Sequence, residues 1–278
     1  MKTTVSIQGY EGSFHQMAAR QYFGNEVAIL PCATFRELIK LAADPTKTNG
    51  GVMAIENSIA GSILPNYNLL LHSDLIIVGE VYLHISQNLL VNKGITLADI
   101  REVHSHPMAL LQCIDFLEQY NWKLVESEDT ALSAKHIHQH RSRHMAAIAG
   151  KLAAELYNLD VLTPDIQTQK DNYTRFLILK HQDENKADVK ADKASVTFCT
   201  DHSRGSLAKV LAVIAANMIN LSKLQSMPIP DSAWKYMFYA DMEFDTIAQL
   251  ETVIEELRGI TESMKILGIY ENGNQRKS

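Results

Sequence analysis

The sequence predicts an α/β protein in two parts, on three observations. Apolar strand-like stretches and helix-like stretches alternate through residues 1–180, the pattern of a layered sheet-and-helix architecture. Residues 181–193, HQDENKADVKADK, are polar, charged and without periodicity, and read as a linker. Beyond them the pattern resets and runs βαββαβ through residues 194–272, the ferredoxin-like order.

Each element follows from local chemistry. Residues 5–7 form a strand that turns through Gly9, Gly12 and Ser13 into a helix over about 14–23. Residues 27–30 are a short strand, and Thr34 is a good N-cap for a helix to about residue 43. Residues 51–55 are a third strand, ending in the polar cluster Glu56-Asn57-Ser58. A helical stretch near 65–71 leads to strands at 75–78 and 89–91. A strand at 102–104 runs into Ser105-His106-Pro107, and Pro107 suits the first turn of a helix carrying Leu110, Leu111, Ile114 and Leu117. Thr130 caps a further helix, 146–149 is a small-residue strand, and 151–157 is helical. The run 176–179 reads as a buried strand with Thr174 and Arg175 at its mouth. In the second part, 195–199 is a strand, and Leu207, Val210, Leu211 and Ile214 mark a helix face. Residues 219–224 are a strand and 236–244 alternate as a half-buried one. Ile247, Leu250, Ile254 and Leu257 mark the second helix, and 264–270 the last strand.

Composition narrows the function. A chain of 278 residues with 46% apolar and 21% charged residues is of ordinary soluble, globular make-up and long enough for about two domains. The net charge of −6 comes without a basic block, which argues against a nucleic-acid partner. A small anionic substrate would then be held by local cations or helix N-termini. Cys32, Cys113 and Cys199 are scattered in apolar company, so reduced packing residues are expected rather than a disulfide set or a zinc site. No signal peptide, transit segment or membrane-length apolar run is visible, and the cytoplasm is the expected compartment. No GxGxxG, P-loop or metal-ligand spacing occurs, so neither nucleotide nor metal is expected. His136, His140 and His144 would share a face of a helix and could hold a metal. With His138, Arg141 and Arg143 among them, a solvated surface segment is the expected role.

Four polar clusters sit at strand ends or helix starts: Gly9/Gly12/Ser13, Glu56/Asn57/Ser58, Ser105/His106/Pro107 with Gln112, and Asn172/Thr174/Arg175. Each alone has a structural explanation as a helix start, a turn or a cap. Together they predict one polar site of hydroxyls, amides and an arginine. A hydroxyl beside a guanidinium pairs a neutral proton donor with a bidentate carboxylate clamp.

These clusters, in this order, resemble the prephenate dehydratase family. Gly9 to Phe14 matches its Gly-x-x-Gly-[Thr/Ser]-[Phe/Tyr] opening, and Ala54-Ile55-Glu56-Asn57 its Pro-Ile-Glu-Asn stretch. Ser105-His106-Pro107 with Gln112-Cys113 matches Ser-His-Pro followed by Gln-Cys, and Asn172 to Phe176 matches Asn-x-Thr-Arg-Phe. Tyr10 stands where proline is usual and Met108 where glutamine is common. The resemblance implies a two-lobed α/β catalytic domain with a periplasmic-binding-protein-like cleft, followed by an ACT regulatory domain, in a monofunctional enzyme. The implied reaction is prephenate to phenylpyruvate, water and carbon dioxide without a cofactor, with arogenate as the alternative substrate. Thr174 would be the proton donor and Arg175 the carboxylate clamp. Gly12, Ser13, Asn57, Ser58, Ser105, Gln112, Asn172 and Phe176 would bind substrate, and Glu56 would position Arg175 or nearby backbone. The effector would be L-phenylalanine, held by Gly205, Ser206, Leu207, Asn220, Leu221 and Gln225 at interfaces of a homodimer or homotetramer. Arg204, Gln225 and Met227 depart from the family's pattern there, which predicts weakened effector binding. A non-catalytic amino-acid or carboxylate sensor is the competing reading, since two-lobed clefts and ACT domains also serve in binding.

Overall fold

The computed structural model describes residues 2–182, 190–201, 203–229 and 235–273. The elements follow in order β1 (Thr4–Gln8), α1 (Phe14–Phe23), β2 (Ala28–Cys32), α2 (Phe35–Ala42), β3 (Gly51–Asn57), β4 (Gly61–Ser62), α3 (Leu64–Leu71), β5 (Leu75–His84) and β6 (Asn88–Val91). Next come β7 (Glu102–Ser105), α4 (Pro107–Gln112), α5 (Ile114–Leu117), β8 (Lys123–Glu126), α6 (Thr130–Gln139), β9 (Met145–Ala149), α7 (Lys151–Leu156), β10 (Asp160–Thr163) and β11 (Tyr173–His181). The remainder is β12 (Lys193–Cys199), α8 (Ser206–Ala216), β13 (Asn220–Pro228), β14 (Tyr236–Glu243), α9 (Ile247–Arg258) and β15 (Ser263–Tyr270).

Two units emerge, Met1–Leu69 with Val81–Phe176, and Leu70–Glu80 with Leu177–Ser278. One sheet has the order β2-β1-β3-β11-β5, with β4 paired to β3; β5 and β11 contribute residues to both units. A second sheet, within the first unit, has the order β10-β6-β9-β7-β8. In it β7 runs parallel to β8 and β9, while β6 runs antiparallel to β9 and β10. One face of that sheet packs Val91, Val103 and Ile148 under Leu110 and Cys113, and the other packs Leu90 and Ala147 against Ala134 and Ile137 of α6. These strands read as apolar runs because both faces are covered.

The structure departs from the sequence expectation where local signal is weak. The strands β8 and β10 carry largely exposed residues, so no apolar run announces them. The helix expected to run from Pro107 through Leu117 breaks at Cys113, and Leu111 ends 63% exposed instead of buried. The cap of α6 is Asp129, whose carboxylate accepts from the Leu132 N–H at 2.9 Å, and Thr130 is the first helical residue. β11 starts at Tyr173, so Thr174 and Arg175 lie inside the strand rather than before it. His181 and Lys193, assigned to the linker, are strand residues; residues 183–189 lie outside the described ones.

In the second unit β12, α8, β13, β14, α9 and β15 give the expected βαββαβ order, with the antiparallel sheet β13-β14-β12-β15. Val210, Ile214, Leu250, Val253 and Leu257 of the helices close over Val196, Phe198, Ala240 and Met242. Lys193 is buried and its Nζ lies 3.0 Å from Glu80 Oε1. Gly268 passes so close to β5 that a Cβ there would stand 2.0 Å from the Ile77 carbonyl oxygen. No helix among the described residues is long and apolar enough to cross a membrane.

Candidate active site

Three helix starts converge on one cavity of ≈ 300 Å³ in the first unit. Ser13 caps α1, with its Oγ 3.4 Å from the Gln16 N–H; His106 caps α4, its Nδ1 accepting from the Met108 N–H at 3.2 Å; Asp129 caps α6. All three line the cavity. Partial positive charge at the α1 and α4 N-termini suits an anion, while Glu128 and Asp129 place carboxylates in the same lining, which holds no lysine or arginine. Gly12 makes the α1 entry possible. Its φ is +89°, and a Cβ there would come within 3.0 Å of the Ala153 backbone. It packs against α7 rather than facing the cavity.

The strand ends supply the polar groups. Asn57, the last residue of β3, is held by the turn after it, where Ile59 and Ala60 N–H groups donate to its Oδ1 at 3.0 and 2.9 Å. That leaves its Nδ2 to donate, its two N–H groups shared among Asn172 Oδ1 at 2.7 Å, the Tyr173 carbonyl at 3.1 Å and Thr174 Oγ1 at 3.0 Å. Thr174 thus accepts from a fixed donor, and its own proton remains to be given to something else. Thr174 and Phe176 both face the cavity, two residues apart on β11, as strand alternation requires. His15 packs edge-on to Phe176 at 4.9 Å between ring centroids, and burial pushes its pKa down to about 3, so it is neutral near pH 7. Burial raises the pKa of Asp129, partly offset by backbone N–H groups of the first turn of α6.

Several expected site residues fall elsewhere. Arg175 is buried on the opposite face of β11, with its guanidinium carbon 5.9 Å from the Tyr82 ring centroid, and does not line the cavity. The alternation that puts Thr174 toward the cavity turns the adjacent arginine to the other face of the strand. Glu56 alternates with Asn57 and falls away from the cavity too. Ser105 is wholly buried and donates to the Ile148 carbonyl at 2.7 Å, tying β7 to β9. Ser58 ties the turn after β3 to β11: its N–H donates to the Tyr173 carbonyl at 2.8 Å, and its Oγ accepts from the Tyr173 N–H at 2.9 Å. Asn172 supports Asn57 from beside the cavity, whereas Ser13, Asn57, Gln112 and Phe176 line it.

Sequence reasoning missed Gln8, His15, Gln87, Asp129 and Thr130, which also line the cavity. Gln87 Nε2 donates to Gln112 Oε1 at 3.3 Å, while the buried Gln87 Oε1 has no partner among the described residues. Only Asp129 had a legible signal, an Asp-Thr pair ahead of a helix. No group of three or more His, Cys, Asp or Glu suited to a metal occurs among the described residues. His136 and His140, on α6 and at its C-cap, have ring centroids 4.3 Å apart.

In the second unit Ser206 and Leu207, at the start of α8, line a cavity of ≈ 370 Å³ with Arg204 and Tyr236. Gly205 precedes them in the left-handed region, at φ 82°. Asn220 is at the far end of the sheet, paired to Glu243, its Nδ2 donating to that carboxylate at 2.9 Å. Leu221 packs on the core, and the Gln225 Nε2 donates to the Ser226 carbonyl. The two expected effector segments therefore do not meet within one chain.

A hydroxyl donor at a polar cavity fed by helix N-termini, on an α/β scaffold, is an arrangement able to bind and polarise a small polar substrate. Residues 5–184 match the family described as "PDT: Prephenate dehydratase", and the chain belongs to that family of hydro-lyases. It is 33% identical to the bifunctional chorismate mutase/prephenate dehydratase of Escherichia coli K12, over 97% of this chain and 71% of that one. It is 36% identical to arogenate dehydratase 2 of Petunia hybrida, over 96% and 71%. A solved structure described as GqqA, a novel type of quorum quenching acylase, superposes with a TM-score of 0.89 at 29% identity, covering 99% of this chain and 100% of that one.

Proposed function

We propose that the chain converts prephenate to phenylpyruvate, carbon dioxide and water, with Thr174 as the group that polarises the departing hydroxyl. The observation that carries this is the Asn57 amide donating to Thr174 Oγ1, which orients the threonine proton away from Asn57. Loss of the ring carboxylate as carbon dioxide sends its electron pair across the ring toward the 4-hydroxyl, and aromatisation supplies the sink, so no electron-accepting cofactor is needed. The difficulty is expelling hydroxide, and a hydroxyl donor that hydrogen-bonds it as the C–O bond breaks meets that need. The helix starts at Ser13 and His106 supply positive potential for the substrate carboxylates. Arg175 supports β11 from its other face. Mixing the purified protein with prephenate and following phenylpyruvate absorbance tests the reading; absence of product overturns it and favours a carboxylate sensor. Arogenate run in parallel ranks the two substrates.

We further propose that residues 194–272 are an ACT domain that binds phenylalanine in a homodimer or larger assembly in the cytoplasm. The βαββαβ order and the left-handed Gly205 before α8 support this. Asn220 and Pro228 are eight residues apart on β13, roughly 26 Å at strand rise, so a site using both Gly205–Leu207 and the Asn220 segment needs a second copy. The likeness to an acylase raises hydrolysis as another activity. That chemistry needs an activated nucleophile. The family match over residues 5–184 favours the dehydratase reading.

A further inference from the structure

A cavity of ≈ 370 Å³ in the first unit has no lining residue in common with the candidate active site. Three chain segments meet there: Asn92 and Lys93 after β6, His138, Gln139 and Arg141 at the end of α6, and Asn158 after α7. All six residues are polar, two of them cationic, and no carboxylate lines the cavity among the described residues. Glu155 and Asp160, the acidic residues nearest to Asn158 in the chain, are outside the lining. In a chain of net charge −6 this is a local concentration of positive charge. Lys93 and Arg141 are exposed, and neither forms an ion pair among the described residues.

The end of α6 would by itself repel an anion, because the last carbonyl oxygens of a helix carry partial negative charge. Here donors already occupy those oxygens. Asn92 Nδ2 donates to the Ile137 and Ser142 carbonyls at 2.8 and 2.9 Å. The Ser142 N–H donates to the Ile137 carbonyl at 3.2 Å, and the Arg141 N–H to the His138 carbonyl at 3.1 Å. The same bonds fix the turn that carries Arg141. Arg141 and Asn158 have φ of 46° and 49°, two of the four non-glycine residues at positive φ among the described ones. That conformation is unfavourable for a side chain with a β-carbon and persists where the surroundings impose it.

We propose that this cavity binds a small phosphorylated molecule with a polar body, the phosphate held by Arg141 and Lys93 and the hydroxyls by the Gln139 and Asn158 amides. A guanidinium fork meets phosphate oxygens two at a time, and an ammonium adds a point charge. The volume is more than a bare phosphate fills and lies in the range of small-molecule sites. A lining without apolar side chains selects a hydroxylated body over a hydrocarbon one. The inference does not rest on which reaction the catalytic cavity performs.

Ribose 5-phosphate is the probe, with ribose and inorganic phosphate as its two halves. Calorimetry on the full chain at about 0.15 M salt, where diffuse charge attraction is screened, is expected to show the probe bound more tightly than either half. Lys93→Gln and Arg141→Gln should each weaken it about tenfold or more, the loss of a charge-assisted hydrogen bond. Arg143→Gln removes an exposed arginine outside the lining and should leave the affinity unchanged. No binding at millimolar probe, binding of inorganic phosphate as tight as the probe, indifference to both cavity variants, or an equal loss with Arg143→Gln would each overturn the proposal. Prephenate turnover should be the same in the parent and all three variants, and its presence or absence in the parent reports on the dehydratase reading separately.

Discussion

At the scale of the residue, Thr174 and Arg175 separate cleanly. Thr174→Val keeps the shape of the side chain and removes the proton that Asn57 orients. Turnover is expected to fall by about 10² or more with KM little changed, measured by steady-state kinetics on prephenate. Arg175→Leu should act differently, because the guanidinium lies against Tyr82 away from the cavity. Its expected effect is a lowered melting temperature, the loss of a desolvated cation–π contact alone being about 2 kcal/mol, while KM stays within about threefold. A large rise in KM without loss of stability would return Arg175 to the substrate. His15 supplies a pH signature. Its pKa of about 3 in the fold lies below the unfolded value of about 6.5, so between these values the unfolded chain binds a proton that the folded one does not. Stability from this group is full above about pH 6.5 and is lost progressively as pH falls toward 3. A His15→Gln variant should show a flatter melting-temperature profile over that range.

At the scale of the element, caps and close approaches set the site's geometry. Asp129→Ala should cost about 0.5–2 kcal/mol through loss of the α6 cap, whereas Asp129→Asn keeps an acceptor for the Leu132 N–H and should lose less. Thr130→Ala, one residue inside the helix, should cost little; denaturant midpoints for the three variants test the assignment. Gly12→Ala forces a β-carbon into the left-handed region and against Ala153, an expected loss of about 1–3 kcal/mol with α1 displaced at its cavity end. Much of this scale was legible in the chain. Gly12-Ser13 before an apolar-periodic stretch, Thr34 as a cap, and Pro107 at a first turn are local chemistry, and each stands where expected. Thr130 was misplaced by one residue because Asp129 and Thr130 are both good caps, and only the bond to Leu132 decides between them.

At the scale of the whole molecule, strand β5 carries the segment Leu75–Glu80 into the second unit, where Lys193 and Glu80 form a buried ion pair. Lys193→Met should destabilise by about 3–5 kcal/mol by removing the cation beside the buried Glu80 carboxylate, whereas a double variant that removes both charges should recover most of it; thermal unfolding of the set tests this. That pairing could not be read from the chain, since a lysine at the end of a polar run looks like linker until a partner 113 residues away is brought to it. What the sequence by itself determined was the alternation of strands and helices, the βαββαβ tail, the polar clusters and the family they mark, because periodicity, caps and turn residues act over a few neighbours. What only the tertiary structure decided was which clusters share a cavity. Register and strand alternation brought Thr174, Asn57 and Ser13 together, turned Arg175 and Glu56 away, buried Ser105 in its sheet, and enlisted His15, Gln87 and Asp129. A one-residue step along a strand reverses the face a side chain takes, and no local pattern records which face the rest of the chain will make the site.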